Sequence, residues 1–269
     1  MVVFTNVTEK DLERLYQKGF SKEEPKTIYE EVRLRYKDVN LILYNSGKLL
    51  LHGKEDSVNQ VAEIIEKMGV GERVKVEKFR KETGWIIGSD ESLKGDTFGG
   101  LVVAAVKADD KGRALLQELG VADSKTLSDK EIILMAEKIR KIVPCEVKSI
   151  LPLEYNQNGE VTKMLNHLHQ ETANYLTPGK HVVDKYPGCN VGDIQEEKAE
   201  SKYVEVAAAS VLARAGALNQ LNYLSTKAGF NVPKGSTHVK LALAELKERR
   251  LEFKEFVKTS FSNVREFLL

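Results

Sequence analysis

Cysteine is nearly missing from this chain: Cys145 and Cys189 are the only two in 269 residues. They are too few for a disulfide framework and too far apart for a thiolate metal knuckle, so both are expected as ordinary buried thiols. No apolar run approaches the roughly 18–20 residues that a membrane span requires. Residues 1–15 turn charged too early for a signal peptide, which makes the cytoplasm the expected location. An excess of one charge is missing too. Lys and Arg number 41 against 40 Asp and Glu, a net +1, so any nucleic-acid surface must be local rather than global. Hydrophobic residues at 42% and charged residues at 30% exclude global disorder. Tandem repeats and low-complexity stretches are also absent.

What is present divides into two rhythms. Residues 1–70 read as a small sheet with helices on it. A helix is expected over 8–17, with Leu12 and Leu15 on one side, followed by the alternating run TIYEEVRLRY, an apolar strand at 40–44, the turn Asn45-Ser46-Gly47 and a strand at 48–52. A second helix over 56–68 carries Val58, Val61, Ala62 and Ile65 at helical spacing. A charged connector is expected over 71–82, where Arg73, Lys75, Lys78, Arg80 and Lys81 are interleaved with glutamates. From Gly84 the strands GWIIGSD, GGLVVAAVKA and KHVVDKY alternate with helical stretches at 129–142, 161–175, 200–226 and 238–250, and 251–269 looks helical as well. That pattern suggests an α/β domain over 83–269, a mixed sheet flanked by helices.

Within it, the stretch from Gly88 to Asp96 ends an apolar strand with the adjacent acids Asp90 and Glu91 and a glycine turn. A phosphate-cradling loop would need Lys and Ser or Thr after Gly95, where Asp96 and Thr97 stand. A calcium loop starting at Asp90 would need an oxygen ligand in place of Lys94 and Glu in place of Leu101. Both readings fail, and in a chain this charged a lone acid pair is ordinarily a solvated turn. Asp184, however, also follows an apolar strand, where open sheets present side chains to ligands. The phrase KAESKY then runs into VEVAAASVLARA, whose small residues let a helix lie close on a sheet. Acids at two strand ends and one helix start can converge, and the chemistry served by such a cluster is metal-assisted phosphoryl transfer with Mg²⁺ or Mn²⁺. Adjacent strand residues point to opposite faces, so Asp90 and Glu91 are expected to share a site only where the strand ends or bulges.

Taken together, Asp90-Glu91 with Gly95, the phrase GVADSKTLS at 120–128, the strand ending in Asp184 and KAESKYVEVAAASVLARA resemble type 2 ribonuclease H. The GSDE lead into GD-x-FGG, the Tyr155-Asn156 segment and Pro233-Lys234-Gly235 are most similar to the ribonuclease HIII kind. The run LILYNSGKLLLHGKED resembles the TATA-box-binding-protein-like domain that precedes the catalytic domain there. The resemblance implies a ribonuclease-H-like mixed sheet flanked by helices, preceded by a small α+β domain. It further implies a monomer that hydrolyses the RNA strand of RNA/DNA hybrids with Mg²⁺ or Mn²⁺ at four acids: Asp90, Glu91, Asp184 and Glu200. Relatives of the HII kind would show Asp at the fourth position, and Asp193, Glu196, Glu197 and Glu205 are its decoys in this sequence.

For substrate binding the resemblance points to Ser124 and Lys125, to the turn Ser92-Leu93-Lys94-Gly95, and to Arg214, which can equally be an ion-paired surface residue. Arg33, Arg35, Tyr44 and Lys48 are the candidates on the small domain. Type 2 enzymes carry glycine-x-glycine where this chain has Leu93-Lys94-Gly95. Leu does not readily adopt positive φ, so the turn is expected to differ or Leu93 to point away, with weaker contact to a single ribose 2′-hydroxyl offset by reading several ribonucleotides. His167 and His169 face different directions, while His52, His181 and His238 lack partners in sequence. Trp85 is read as core. Two other classes compete: a non-catalytic nucleic-acid-binding protein on the same fold, and a nucleotide-using metabolic enzyme, which would need the missing phosphate loop.

Overall fold

Alternation of apolar and polar residues builds the first unit. In the computed structural model, which describes residues 2–74, 79–121 and 127–268, the chain divides into the units Met1–Val76 and Glu77–Leu269. The first runs β1 (Val2–Thr5), α1 (Glu9–Gln17), β2 (Ser21–Glu23), β3 (Glu30–Tyr36), β4 (Val39–Tyr44), β5 (Leu49–His52), α2 (Glu55–Lys67) and β6 (Glu72–Arg73). Its antiparallel sheet has the order β2-β3-β4-β5-β1-β6. Phe4, Leu34, Leu41, Leu43, Leu49 and Leu51 turn one face inward against Leu12 and Leu15 of α1 and Val58, Ala62 and Ile65 of α2. By the period of two, Arg33, Arg35 and Tyr44 fall on the opposite face.

The connector expected over 71–82 is shortened from both ends. Glu72 and Arg73 pair with β1, and the Arg80 amide donates to the Lys202 carbonyl at 2.7 Å inside the second unit.

The second unit contains β7 (Ile86–Ser92), β8 (Leu101–Ala108), α3 (Asp110–Glu118), α4 (Asp129–Ile142), β9 (Cys145–Ile150), α5 (Pro152–Gln157), α6 (Val161–Asn174), β10 (Lys180–Asp184), β11 (Ile194–Glu196), a 3₁₀ turn (Ala199–Ser201), α7 (Val204–Ala228), α8 (Lys240–Glu248) and α9 (Ser262–Leu268). The sheet order is β11-β10-β7-β8-β9; β7, β8 and β9 form an antiparallel meander, and β10 runs parallel to β7 and β11. This is the mixed sheet that the strand and helix alternation implies. The segment 251–269 is not one helix: a 3₁₀ turn at Phe253–Glu255 and a bridge from Val257 to Phe98 precede α9.

α7 lies directly on the sheet. A Cβ on Gly88 would stand 2.3 Å from the Val206 amide nitrogen, so the strand needs glycine where the helix backbone touches it. The buried run Ala207–Ala209 supplies the matching small face on the helix. Among the described residues no helix is long and apolar enough to cross a membrane. Cys145 and Cys189 are half-buried free thiols rather than fully buried ones.

Candidate active site

The parallel pairing of β7 and β10 brings the acids together. Val183 stands opposite Ser89, so one further step places Asp184 beside Asp90 on the sheet face that carries α7. Asp90 is 9% exposed and accepts the Glu91 amide at 2.8 Å and the Ser210 hydroxyl from α7. Burial, then the neighbouring charge of Glu91, pushes the Asp90 carboxyl up to about 8, and Asp184 adds to the shift. Asp184 Oδ1 accepts the Ala199 amide at 2.9 Å, which ties the 3₁₀ turn bearing Glu200 to the end of β10. Lys198, just before that turn, is left-handed at φ 56°.

The strand does not bulge at the acid pair, and it ends one residue beyond it, at Ser92. β7 keeps register with β8 through Asp90 opposite Ala104, Glu91 opposite Val103 and Ser92 opposite Val102. Glu91 therefore points to the other face, toward α6. Its Oε2 lies 3.3 Å from His169 Nε2, and its Oε1 accepts from Lys94 Nζ at 3.2 Å. Burial opposes the Glu91 charge, yet His169 and Lys94 hold the carboxyl below the usual carboxylate range. The two acids meet electrostatically at one strand end from opposite faces.

Among the described residues, no three acid, histidine or cysteine side chains already surround a common point as ligands. The oxygen donors nonetheless suit a hard divalent cation, and the repulsion that Glu91 and Asp184 exert on Asp90 is what such a cation relieves.

The decoy acids have structural partners. Glu205 is buried against Arg113 Nη1 at 2.9 Å, and Glu196 joins Arg80, Lys202 and Tyr203. Asp193 accepts the His181 amide at 2.8 Å, while Glu197 offers its carbonyl to Lys202 at 3.0 Å.

The turn after the acids corrects one expectation and meets another. Leu93 does adopt positive φ, at 68°, and its side chain points away into the core at 4% exposure. Gly95 is exposed, with open space where a Cβ would be, and Ser92 and Lys94 are half-buried. Ser124 and Lys125 lie outside the described residues. Arg214 Nη2 donates to the Leu127 carbonyl at 3.0 Å and lies 3.4 Å from Asp129, the ion-paired alternative. On the first unit Arg33 is buried in a two-pronged pair with Glu30, both contacts at 3.0 Å, whereas Arg35 and Lys48 are exposed and Tyr44 half-exposed.

Trp85 is not core: it is 47% exposed with the Lys107 ammonium 4.7 Å above its ring. Nor is His181 without a partner. Ser89 Oγ stands 2.8 Å from both His169 Nδ1 and His181 Nε2, a buried cluster that sequence reading missed because its members come from three separate elements.

The ribonuclease HII family model matches residues 87–264, a span holding all of these acids. The chain belongs to the ribonuclease HII family. The resemblance to type 2 ribonuclease H and the ribonuclease-H-like fold it implies are borne out. Ribonuclease HIII of Streptococcus agalactiae serotype Ia is 33% identical, over 74% of this chain and 73% of that protein. Ribonuclease HIII of Bacillus thuringiensis subsp. konkukian is 31% identical, over 98% and 96%. The crystal structure of Bst-RNase HIII in complex with Mn²⁺ superimposes with a TM-score of 0.64 at 27% identity, covering 99% of this chain and 97% of that one. Aquifex aeolicus RNase H3 gives 0.58 at 27% identity, covering 97% and 100%. The last three of these similarities extend over both units.

Proposed function

We propose that this member of the ribonuclease HII family is an endonuclease that hydrolyses the RNA strand of RNA/DNA hybrids with Mg²⁺ or Mn²⁺ at Asp90, Glu91, Asp184 and Glu200. The observation that carries the reading is the convergence of Asp90 and Asp184 at adjacent parallel strand ends, with the Asp90 charge opposed by its acidic neighbours. The cation, when bound, supplies the positive charge that activates water and stabilises the leaving oxygen. The protein's part is positional. Ser210 and the Glu91 amide orient Asp90, the Ala199 amide orients Asp184, and Lys94 restrains Glu91.

Around these acids, the exposed main chain at Lys94-Gly95 offers close approach to a ribose 2′-hydroxyl, the group that separates RNA from DNA. Ser92, Leu93, Lys94 and Gly95 form this turn, with Leu93 acting through backbone alone; Ser124 and Lys125 are further substrate contacts by family likeness, while Arg214 is held by Leu127 and Asp129. The first unit is a TATA-box-binding-protein-like substrate-binding domain whose exposed Arg35 and Lys48 and half-exposed Tyr44 face phosphate, and Arg33 holds the sheet they stand on. The enzyme acts as a monomer in the cytoplasm.

Labelled RNA/DNA hybrid, RNA duplex and DNA duplex, each incubated with and without Mn²⁺ or Mg²⁺, test the reading. Cleavage of only the RNA strand of the hybrid, and only with cation, supports it. Tight hybrid binding without cleavage would instead make the chain a non-catalytic binder.

A further inference from the structure

Ser89 and Glu91 are two apart on β7 and so share the sheet face that looks toward α6. The fully buried ring of His169 spans them. Its Nδ1 is 2.8 Å from Ser89 Oγ, and its Nε2 is 3.3 Å from Glu91 Oε2, a close charge contact that falls short of hydrogen-bond geometry. His181 of β10 completes the row with Nε2 at 2.8 Å from the same hydroxyl. We propose that His169 is a positioning residue for the Glu91 carboxylate, its ring orientation and tautomer set through Ser89 by His181.

The hydrogens along this row follow from burial. His181 Nδ1 is buried with no partner among the described residues, and a bare ring nitrogen is left unpaired at lower cost than an N–H. Burial also lowers the His181 pKa to about 4, so the ring is neutral and its one hydrogen sits on Nε2. That N–H donates to Ser89 Oγ, and the Ser89 hydroxyl in turn donates to His169 Nδ1. With Nδ1 accepting from Ser89, the ring hydrogen of His169 lies on Nε2, on the side of Glu91. Tyr186 backs the ring at 5.3 Å between centroids, which limits rotation. Lys94 restrains only the other oxygen, Oε1, from a half-exposed position. Without His169 the Glu91 carboxylate would turn about its flexible stem.

This inference rests on reading Glu91 as a ligand of the catalytic cation. It is tested by calorimetric titration of Mn²⁺ in the absence of substrate, together with kcat and KM on hybrid, for the wild type, His169→Gln, His169→Leu and Ser89→Ala. Groups that orient a metal-ligating carboxylate typically matter by about 10–100-fold. His169→Leu is expected to weaken Mn²⁺ binding and lower kcat by that order with KM for hybrid unchanged. His169→Gln, whose amide N–H reaches toward the place of Nε2, is expected to recover most of both. Ser89→Ala should show a smaller loss in the same direction. Wild-type Mn²⁺ affinity and kcat in His169→Leu, or an equal loss in His169→Gln, would overturn the role. If the leucine variant does not fold, Ser89→Ala decides, and wild-type affinity and kcat there would overturn the role. A wild type that neither binds Mn²⁺ nor cuts hybrid is a different outcome, which removes the reading of the site and this inference with it.

Discussion

Lys258 Nζ donates to the Leu93 carbonyl at 2.8 Å, joining the far end of the chain to the turn that follows the acid pair. The same buried ammonium also donates to the carbonyls of Asp96 at 2.6 Å and Gly99 at 2.9 Å. One side chain thereby gathers the whole turn.

Burial lowers the Lys258 pKa from 10.5 to about 7, with Asp96 pulling the other way. Between those values the unfolded chain holds a proton that the folded chain does not, so stability from this group rises with pH from about 7 to about 10. Denaturant unfolding of the wild type and Lys258→Met across that range should show their difference moving in favour of the wild type as pH rises. A difference independent of pH would mean that the lysine titrates normally.

Leu93 contributes a backbone bend and a core side chain, not a surface that meets substrate. Replacing a buried Leu by a small residue costs about 2–5 kcal/mol, and releasing positive φ returns about 1 kcal/mol. Leu93→Gly should therefore lower stability by about 1–4 kcal/mol in chemical denaturation. Its relative rates on hybrids carrying one, four and many ribonucleotides should match the wild type, and a changed preference would show that the side chain shapes the turn toward the ribose.

Glu200 and Glu205 look alike in sequence and should fail differently. Glu205→Gln removes the buried one of the two carboxylates paired with Arg113, leaving Asp110, and should show chiefly as a lower Tm. Glu200→Gln should leave Tm near the wild-type value and remove most turnover on hybrid. The reverse pattern would mean that the fourth acid is misassigned.

On the first unit, Arg35→Ala and Lys48→Ala should each weaken hybrid binding and reduce the salt dependence of log K by about 1, with kcat at saturation unchanged. Arg33→Ala leaves buried Glu30 unpaired and should lower the stability of that unit instead. Unchanged salt slopes for Arg35 and Lys48 would take this face out of substrate binding.

The sequence displays the acids because each ends an apolar strand or opens a helix, and the small residues of α7 announce a close approach that Gly88 then accommodates. It could not display that β10 lies parallel to β7, on which the pairing of Asp90 with Asp184 depends, since strand order is a property of the whole sheet. Ser89 and His169 are 80 positions apart and become neighbours only after α6 crosses the sheet. Leu93 violates the local preference against positive φ because its side chain gains a core site and its carbonyl gains Lys258. The helical pattern of 251–269 yields to the same demand, as the segment 253–258 unwinds to reach the turn.

The most direct test is Asp90→Asn on RNA/DNA hybrid with Mn²⁺. The amide keeps the shape and the acceptor oxygen for Ser210 while removing a charge that burial and two acidic neighbours oppose, so Tm should stay level or rise. The account predicts wild-type hybrid affinity with turnover lower by roughly 100-fold or more, because a cation ligand is lost. Asp90→Asn cutting hybrid at the wild-type rate would contradict it.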